Sequence, residues 1–322
     1  MNVYIATSHD PFYNLAVENW LFREMLTDEP ILYLWQNAPS VIIGRAQNPW
    51  RECNIDALNH DNIPIVRRQS GGGTVYHDLG NLNYTIMAKS QDYDKKANLA
   101  LIVNTLKSCG IHAHASERND ILVTHEGIDY KISGSAFRET KDKSFHHGTL
   151  LISADTSRLY DYLHHNIDDS LTTKGVHSKR SSVINLAVIN PEISAAKIRD
   201  CFLNQFNHHI TYIPEHMENK QVTDEENALR TWQWRFGKTL PFSRSFVFED
   251  NSITLEIKNG QIVAFATDSD KYDNLKTYLQ TVNPIYSKQS FDLIGKESLD
   301  LTVEEQALLN HLYQNTADVM GE

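Results

Sequence analysis

The sequence predicts a mixed α/β (α+β) chain, with a large domain of strands and packed helices over 1–243 and a small α/β domain over 248–322. Three observations predict it. Short apolar or alternating runs recur with helix-period segments between them. Asn259–Gly260, set between two alternating runs, is the strongest hairpin signal in the chain. The 322 residues suffice for one large core and a smaller one.

The elements follow in order. Residues 2–7 alternate as a strand. Asp10–Pro11 supplies an N-cap and a first helical position for a helix to about Met25, with Leu15, Ala16, Trp20, Leu21 and Phe22 on its buried face. Ile31–Trp35 and Val41–Ile43 are short strands, and the apolar run Ile63–Val66 leads to the glycines at 71–73. Asn83–Ala88 is a strand and Asn98–Cys109 a helix. Ile111–Ala115, Ile121–Thr124, Tyr130–Ser135 and a run entering at Phe145 are further strands. Ser157–His165, Ser194–Phe206 and Asp224–Trp234 have helical patterns, the last with Trp232 and Trp234 read as packing. Beyond Pro241, Ser252–Lys258 and Gln261–Thr267 form the hairpin, followed by helices at Lys271–Thr281 and Thr302–Asn315.

Composition excludes several classes. With 41% hydrophobic and 22% charged residues the chain is globular, neither disordered nor collagenous. A net charge of −11 argues against holding nucleic acid by bulk electrostatics. No apolar run approaches a membrane span, and the N-terminus lacks the basic and apolar regions of a signal peptide. Cys53, Cys109 and Cys201 match no metal spacing and fit a reduced compartment, with Cys109 in the core. The expected location is the cytoplasm, without membrane or nucleic-acid partners.

The chemistry gathers in four short segments. In RRQSGGGTVYHD, residues 67–78, three glycines let a ligand lie on the main chain, and successive N–H groups there form an anion-binding concavity. Arg67 and Arg68 add planar, permanent charge. The segment lacks both the nucleoside-triphosphate P-loop ending and the dinucleotide glycine pattern. The second segment is Glu117–Asp120, and the third is Lys131-Ile132-Ser133-Gly134-Ser135-Ala136, where a lysine stands beside a tight polar turn. The fourth, 174–182, places Lys174, Lys179 and Arg180 among serines as a phosphate-facing lid. For each alone, a solvated loop is the plain alternative. His146 and His147, adjacent in a strand, point to opposite faces and cannot readily share a metal.

Taken together, RRQSGGGTVYHD, RND, KISGSA, HHGTLL and the 174–182 stretch resemble bacterial lipoate–protein ligase of the two-domain A type, in the biotin/lipoate ligase superfamily. The early DP-x-x-NLA-x-E motif, Asp10–Glu18, and the Val41–Asn54 segment resemble it as well, so the likeness runs through nearly the first 240 residues and weakens beyond. Gln69 and Thr74 depart slightly from the family's loop. The resemblance implies a reaction in two steps. Lipoate attacks the α-phosphate of ATP, carried with Mg²⁺, giving lipoyl-AMP and pyrophosphate; a lysine of an acceptor domain then takes the lipoyl group. Lys131 resembles the catalytic residue that faces both carboxyl and α-phosphate. Arg68, Gly73, Thr74, Val75, Tyr76, Asn119, Asp120, Lys131, Ser178 and Arg180 match nucleotide and adenylate positions, with Asp120 the magnesium candidate. Ser70, Gly71, Gly72, Gly73, His77, Gly134 and Thr149 match the lipoate side. The implied acceptors are the lipoyl domains of 2-oxoacid dehydrogenase E2 subunits and the glycine-cleavage H protein. The implied small molecule is lipoate or octanoate, and the expected state is a monomer. Two rivals stand: an octanoyl or lipoyl transferase of the same fold that needs no ATP, and a binding protein that has lost the chemistry. No cysteine lies in a motif that would place a thiol carrier in the pocket.

Overall fold

The computed structural model describes residues 1–26, 28–163, 170–179, 181–205, 209–296 and 300–319. It is a mixed α/β protein whose contacts fall into two units: 1–45, 65–159 and 178–230 form the first, and 46–64, 160–177 and 231–322 the second.

The first unit is built on a six-stranded sheet. From one edge the strands are Ser135–Glu139, Lys143–Leu151, Asn81–Lys89, Ile31–Trp35, Asn2–Ala6 and His209–Ile213. The first four pair antiparallel, and the last two join in parallel. One face of the sheet carries Leu32, Leu34, Leu82, Ile86 and Leu150, which pack with Leu99, Ile102 and Leu106 of helix Lys95–Ser108 and Ile198 and Phe202 of helix Ala195–Leu203. Burying these apolar faces is the main stabilising term of the unit. Two three-stranded sheets complete it. One has Ser40–Ile43 between Ile65–Arg67 and Val75–His77; the other has Ile121–His125 between Ala113–Ala115 and Ile128–Ser133.

Local chemistry starts the first helix, Pro11–Trp20. The Asp10 carboxylate accepts the N–H groups of Phe12 (2.8 Å) and Tyr13 (3.1 Å), with Pro11 at the first helical position. The expected last turn, Leu21–Met25, widens into a π-helix.

The second unit holds an antiparallel sheet of four strands, Leu171–Thr173, Phe242–Phe248, Asn251–Lys258 and Gln261–Thr267. Asn259 (φ 53°) and Gly260 (φ 74°) make the expected hairpin, both in the left-handed region that two-residue turns of this hand require. Helices Asp273–Val282, Lys288–Lys296 and Val303–Gln314 follow; the last has a full capping box between Thr302 and Glu305. Trp50 packs against Phe236, Phe242 and Tyr286 in this unit.

One expectation is corrected. The cysteine pattern fits a reduced compartment, but Cys109 and Cys201 form a disulfide across a sequence separation of 92, with Cα atoms 6.2 Å apart. Packing of helix Lys95–Ser108 on helix Ala195–Leu203 brings them together, which no spacing rule could show. Cys53 is a free, buried thiol. No helix among the described residues is long and apolar enough to cross a membrane.

Candidate active site

Opposite the apolar face, the six-stranded sheet is buried yet polar. Along strand Asn81–Lys89, Leu82, Tyr84 and Ile86 enter the apolar cluster, so alternation places Asn81, Asn83 and Thr85 on the other side. Register partners share a face. Tyr33 and Trp35 therefore join from one neighbouring strand, and His147 and Thr149 from the other.

A directed chain of hydrogen bonds crosses this polar face. Trp35 Nε1 donates to Thr85 Oγ1 at 3.2 Å, and Thr85 donates to Glu18 Oε1 at 2.7 Å. His147 Nδ1 meets the same carboxylate oxygen at 2.8 Å, and its Nε2 meets Ser70 Oγ at 2.8 Å. Ser70 Oγ accepts from Arg68 Nε at 3.0 Å, which directs its own proton to His147 Nε2 and assigns His147 the Nδ1–H tautomer. Glu18 and Arg68 are thus buried charges of opposite sign, joined through two polar side chains.

The glycine loop is held from inside. Arg68 Nη2 donates to the carbonyls of Gly71 (2.6 Å) and Gly73 (2.7 Å), and Nη1 to that of Ile42 (3.1 Å). With Nε shared between Ser70 Oγ and the Gly71 carbonyl, the guanidinium is committed to shaping the loop. Burial draws its pKa down to about 10, Glu18 opposing, so it remains charged at neutral pH. Turned the other way, the N–H groups of Gly71, Gly72 and Gly73 donate to no acceptor among the described residues. Gly72 has φ +87°, and a Cβ there would meet Arg68 Nη2 at 2.9 Å and the Ala136 Cβ at 3.3 Å. The loop therefore rests on strand Ser135–Glu139. Val75 and Tyr76 lie in the short strand beyond it, paired with Ser40–Ile43.

Lys131 stands nearby on strand Ile128–Ser133. Its Nζ is 2.9 Å from Asp120 Oδ1, each side chain about a quarter exposed at 23%. The pairing of this strand with Ile121–His125 shifts register between Ile121 and Leu122, leaving Ile132 as the extra residue beside the lysine. A Cβ on Gly134 would lie 3.3 Å from Lys131 Cε and 3.4 Å from Nζ, so the lysine's end packs over this glycine. Asp120 ends a tight turn in which Asn119 has φ 63° and Ser116 Oγ accepts the Asp120 N–H at 3.1 Å. Gly134 O accepts the N–H of Thr149, which ties the polar sheet face to the same spot.

The fourth segment joins both. Ser178 Oγ accepts the Thr74 N–H at 2.9 Å and lies against Gly73. A few residues on, Ser182 O accepts the Lys131 N–H at 2.9 Å, and Ile184 N–H returns to Lys131 O at 3.2 Å. Arg180 lies outside the described residues, and 174–177 belong to the second unit.

His77 is neutral: burial first, then the charge of Arg68, lowers its pKa to about 3. His146, on the apolar side, stacks on Phe137 and is lowered to about 3 chiefly by burial. The two adjacent histidines, 146 and 147, do occupy opposite faces. The structure therefore gathers Arg68, Ser70–Thr74, His77, Asp120, Lys131, Gly134, Thr149 and Ser178. Trp35, Asn83 and Thr85 lie outside the sequence motifs, whereas Glu18 closes the early Asp10–Glu18 motif. The signal of Asn83 and Thr85 is the Asn-x-Asn-x-Thr alternation in a strand whose intervening residues are Leu82 and Tyr84.

The family profile described as lipoyl protein ligase A/B catalytic domain matches residues 10–207. P. falciparum LipL1, solved in complex with lipoate, is 30% identical over 97% of this chain and 98% of that one, with TM-score 0.65. The bipartite lipoate protein ligase of Thermoplasma acidophilum, solved with its E2 lipoyl domain, is 24% identical over 73% of this chain and 95% of that one, with TM-score 0.60. Lipoate-protein ligase A bound with ATP is 24% identical over 71% of this chain and 94% of that one, with TM-score 0.57. These last two share the fold. The chain belongs to the lipoyl protein ligase A/B catalytic domain family.

Proposed function

We propose that this chain is an ATP-dependent lipoate–protein ligase. It would activate lipoate to lipoyl-AMP, release pyrophosphate, and transfer the lipoyl group to a lysine of an acceptor lipoyl domain. The observation that carries the reading is the meeting of the glycine loop and the Lys131–Asp120 pair through one segment, which bonds Thr74 at Ser178 and Lys131 at Ser182. The lipoate and ATP complexes among similar structures agree with it.

Both steps develop negative charge on phosphoryl or carbonyl oxygens, so fixed donors and cations are what they need. Lys131 is the catalytic cation, offsetting repulsion between carboxylate and α-phosphate and then stabilising departing AMP. The N–H groups of Gly71–Gly73 are the anion-binding surface, with Thr74, Val75, Tyr76, Asn119, Ser178 and Arg180 on the nucleotide side. Arg68 serves that side through the loop it holds. Ser70, His77, Gly134 and Thr149 border the acyl side. Mg²⁺ enters with ATP. Asp120 fits as a single carboxylate ligand, since magnesium takes one or two carboxylates and substrate phosphates, and Lys131 keeps that carboxylate in place. The segment 248–322 is accessory. The acceptors are E2 lipoyl domains and the glycine-cleavage H protein, met in the cytoplasm by a monomer.

Lipoate-dependent exchange of labelled pyrophosphate into ATP, without acceptor, tests the reading; exchange is expected, and its absence in folded protein sinks it. One observation favours a second reading, ATP-independent acyl transfer. Ser70, His147 and Glu18 stand in the order of an acyl-carrying nucleophile, base and orienting acid. Acyl transfer from a supplied thioester without exchange would select it.

A further inference from the structure

We infer that Asn83, with His77, forms a polar end to the acyl pocket that selects a sulfur-bearing tail over a saturated one of the same shape. The inference rests on the lipoate reading above and adds what recognises the far end of the substrate.

Asn83 is 1% exposed, and neither its Oδ1 nor its Nδ2 has a hydrogen-bond partner among the described residues. Buried amides without partners are rare and ask for a cause. This one lies mid-strand, in register between Trp35 and Thr149. Its neighbours on the same face are satisfied, since Thr85, Glu18, His147 and Ser70 are bonded to one another. Asn81, at the strand's start, retains a bond to Asp78.

The second open group is also beside Trp35. The His77 ring meets the indole edge-on at a centroid distance of 6.1 Å, and its buried Nε2 has no partner among the described residues. The surrounding bonds assign its proton. Asn14 Nδ2 donates to Asn37 Oδ1 at 3.0 Å, so the Asn37 Nδ2 is the group 3.1 Å from His77 Nδ1. His77 Nδ1 accepts, and Nε2 carries a hydrogen with nothing to receive it. Trp35 is thus flanked by two unused N–H donors and one unused carbonyl.

The chemistry that suits them is narrow. Charge is disfavoured where burial keeps His77 neutral. A hydrocarbon tail would leave every one of these groups unpaired, which is how a site built to hydrogen-bond rejects an analogue lacking the partner. A dithiolane is neutral, accepts weak N–H bonds at sulfur, and packs well at the edge of an aromatic ring. Lipoate carries one at the end of its chain.

The test compares lipoate with its cyclopentyl analogue, in which both sulfurs are methylenes, by calorimetric binding to the full chain. Wild-type protein is expected to bind lipoate about threefold to tenfold more tightly than the analogue, the scale of one or two weak hydrogen bonds. In Asn83→Leu, where only the His77 N–H remains, the preference should shrink to about twofold or less, and the ligand-free variant should melt at or above the wild-type temperature because an unpaired amide is gone. Equal affinities in wild type overturn the inference, even if Asn83→Leu fails to fold. So does a preference for lipoate that is undiminished in folded Asn83→Leu. If wild type binds neither compound, the lipoate reading itself falls, and the two failures are distinct.

Discussion

Lys131 pairs with Asp120 at 2.9 Å, and its side-chain end lies over Gly134. Lys131→Ala is expected to lower adenylate formation by about a hundredfold or more, as loss of a transition-state charge contact does; single-turnover kinetics on folded variant measure it. A near-normal rate would remove the lysine from that role. His146 carries a prediction about acid. Its folded pKa is depressed to about 3, so below its ordinary value near 6.5 the unfolded chain binds a proton that the folded chain refuses. Stability is therefore full above about pH 6.5 and falls as pH drops toward 3. His146→Leu should recover about 1–2 kcal/mol of the loss between pH 7 and pH 5, read from urea denaturation. Lys131 and the glycines were legible because residue type and position coincide in dense motifs. Asn83 was less so: the alternation marks one polar side of its strand, but which face of the sheet that side lines appears only with the pairing.

Among elements, the glycine loop and the Asn259–Gly260 hairpin depend most on backbone conformation. Gly72→Val forces a side chain onto the Arg68 guanidinium and Ala136 at φ +87°. Binding of lipoate and of ATP should both weaken more than about tenfold, the scale of a displaced site; unchanged affinities would reduce the glycines to a turn. Gly260→Ala should cost about 1–3 kcal/mol in urea unfolding, because φ is +74° and a Cβ would sit 2.6 Å from the Trp232 ring. The hairpin was readable from two residues, as the turn demands them. Strand Phe242–Phe248 alternates only weakly and starts directly after Pro241, which breaks regular structure, so it carries little local signal. Helix Lys288–Lys296 is short and its start is unmarked by any acidic first turn. The register shift beside Lys131 depends on pairing partners and cannot be read along one strand.

Across the whole molecule, the order of the sheet's strands comes from contacts distant in sequence, with Asn2–Ala6 beside His209–Ile213, and no local pattern shows it. The Cys109–Cys201 link is of the same kind. It lies at the apolar cluster, on the side of the sheet away from the polar face. Cys109→Ser is expected to leave turnover intact while lowering the stability of oxidised protein by about 2–4 kcal/mol; a dead but folded variant would bring a thiol back into the chemistry. Finally, the bond from Lys131 N–H to Ser182 makes one amide a clock for the site. Its deuterium uptake can slow only while the Ser182 strap is seated, and the same strap reaches the glycine loop four residues earlier. A single peptide in an exchange experiment would thus time how long the lysine and the loop stay fastened together, and whether each substrate lengthens that interval.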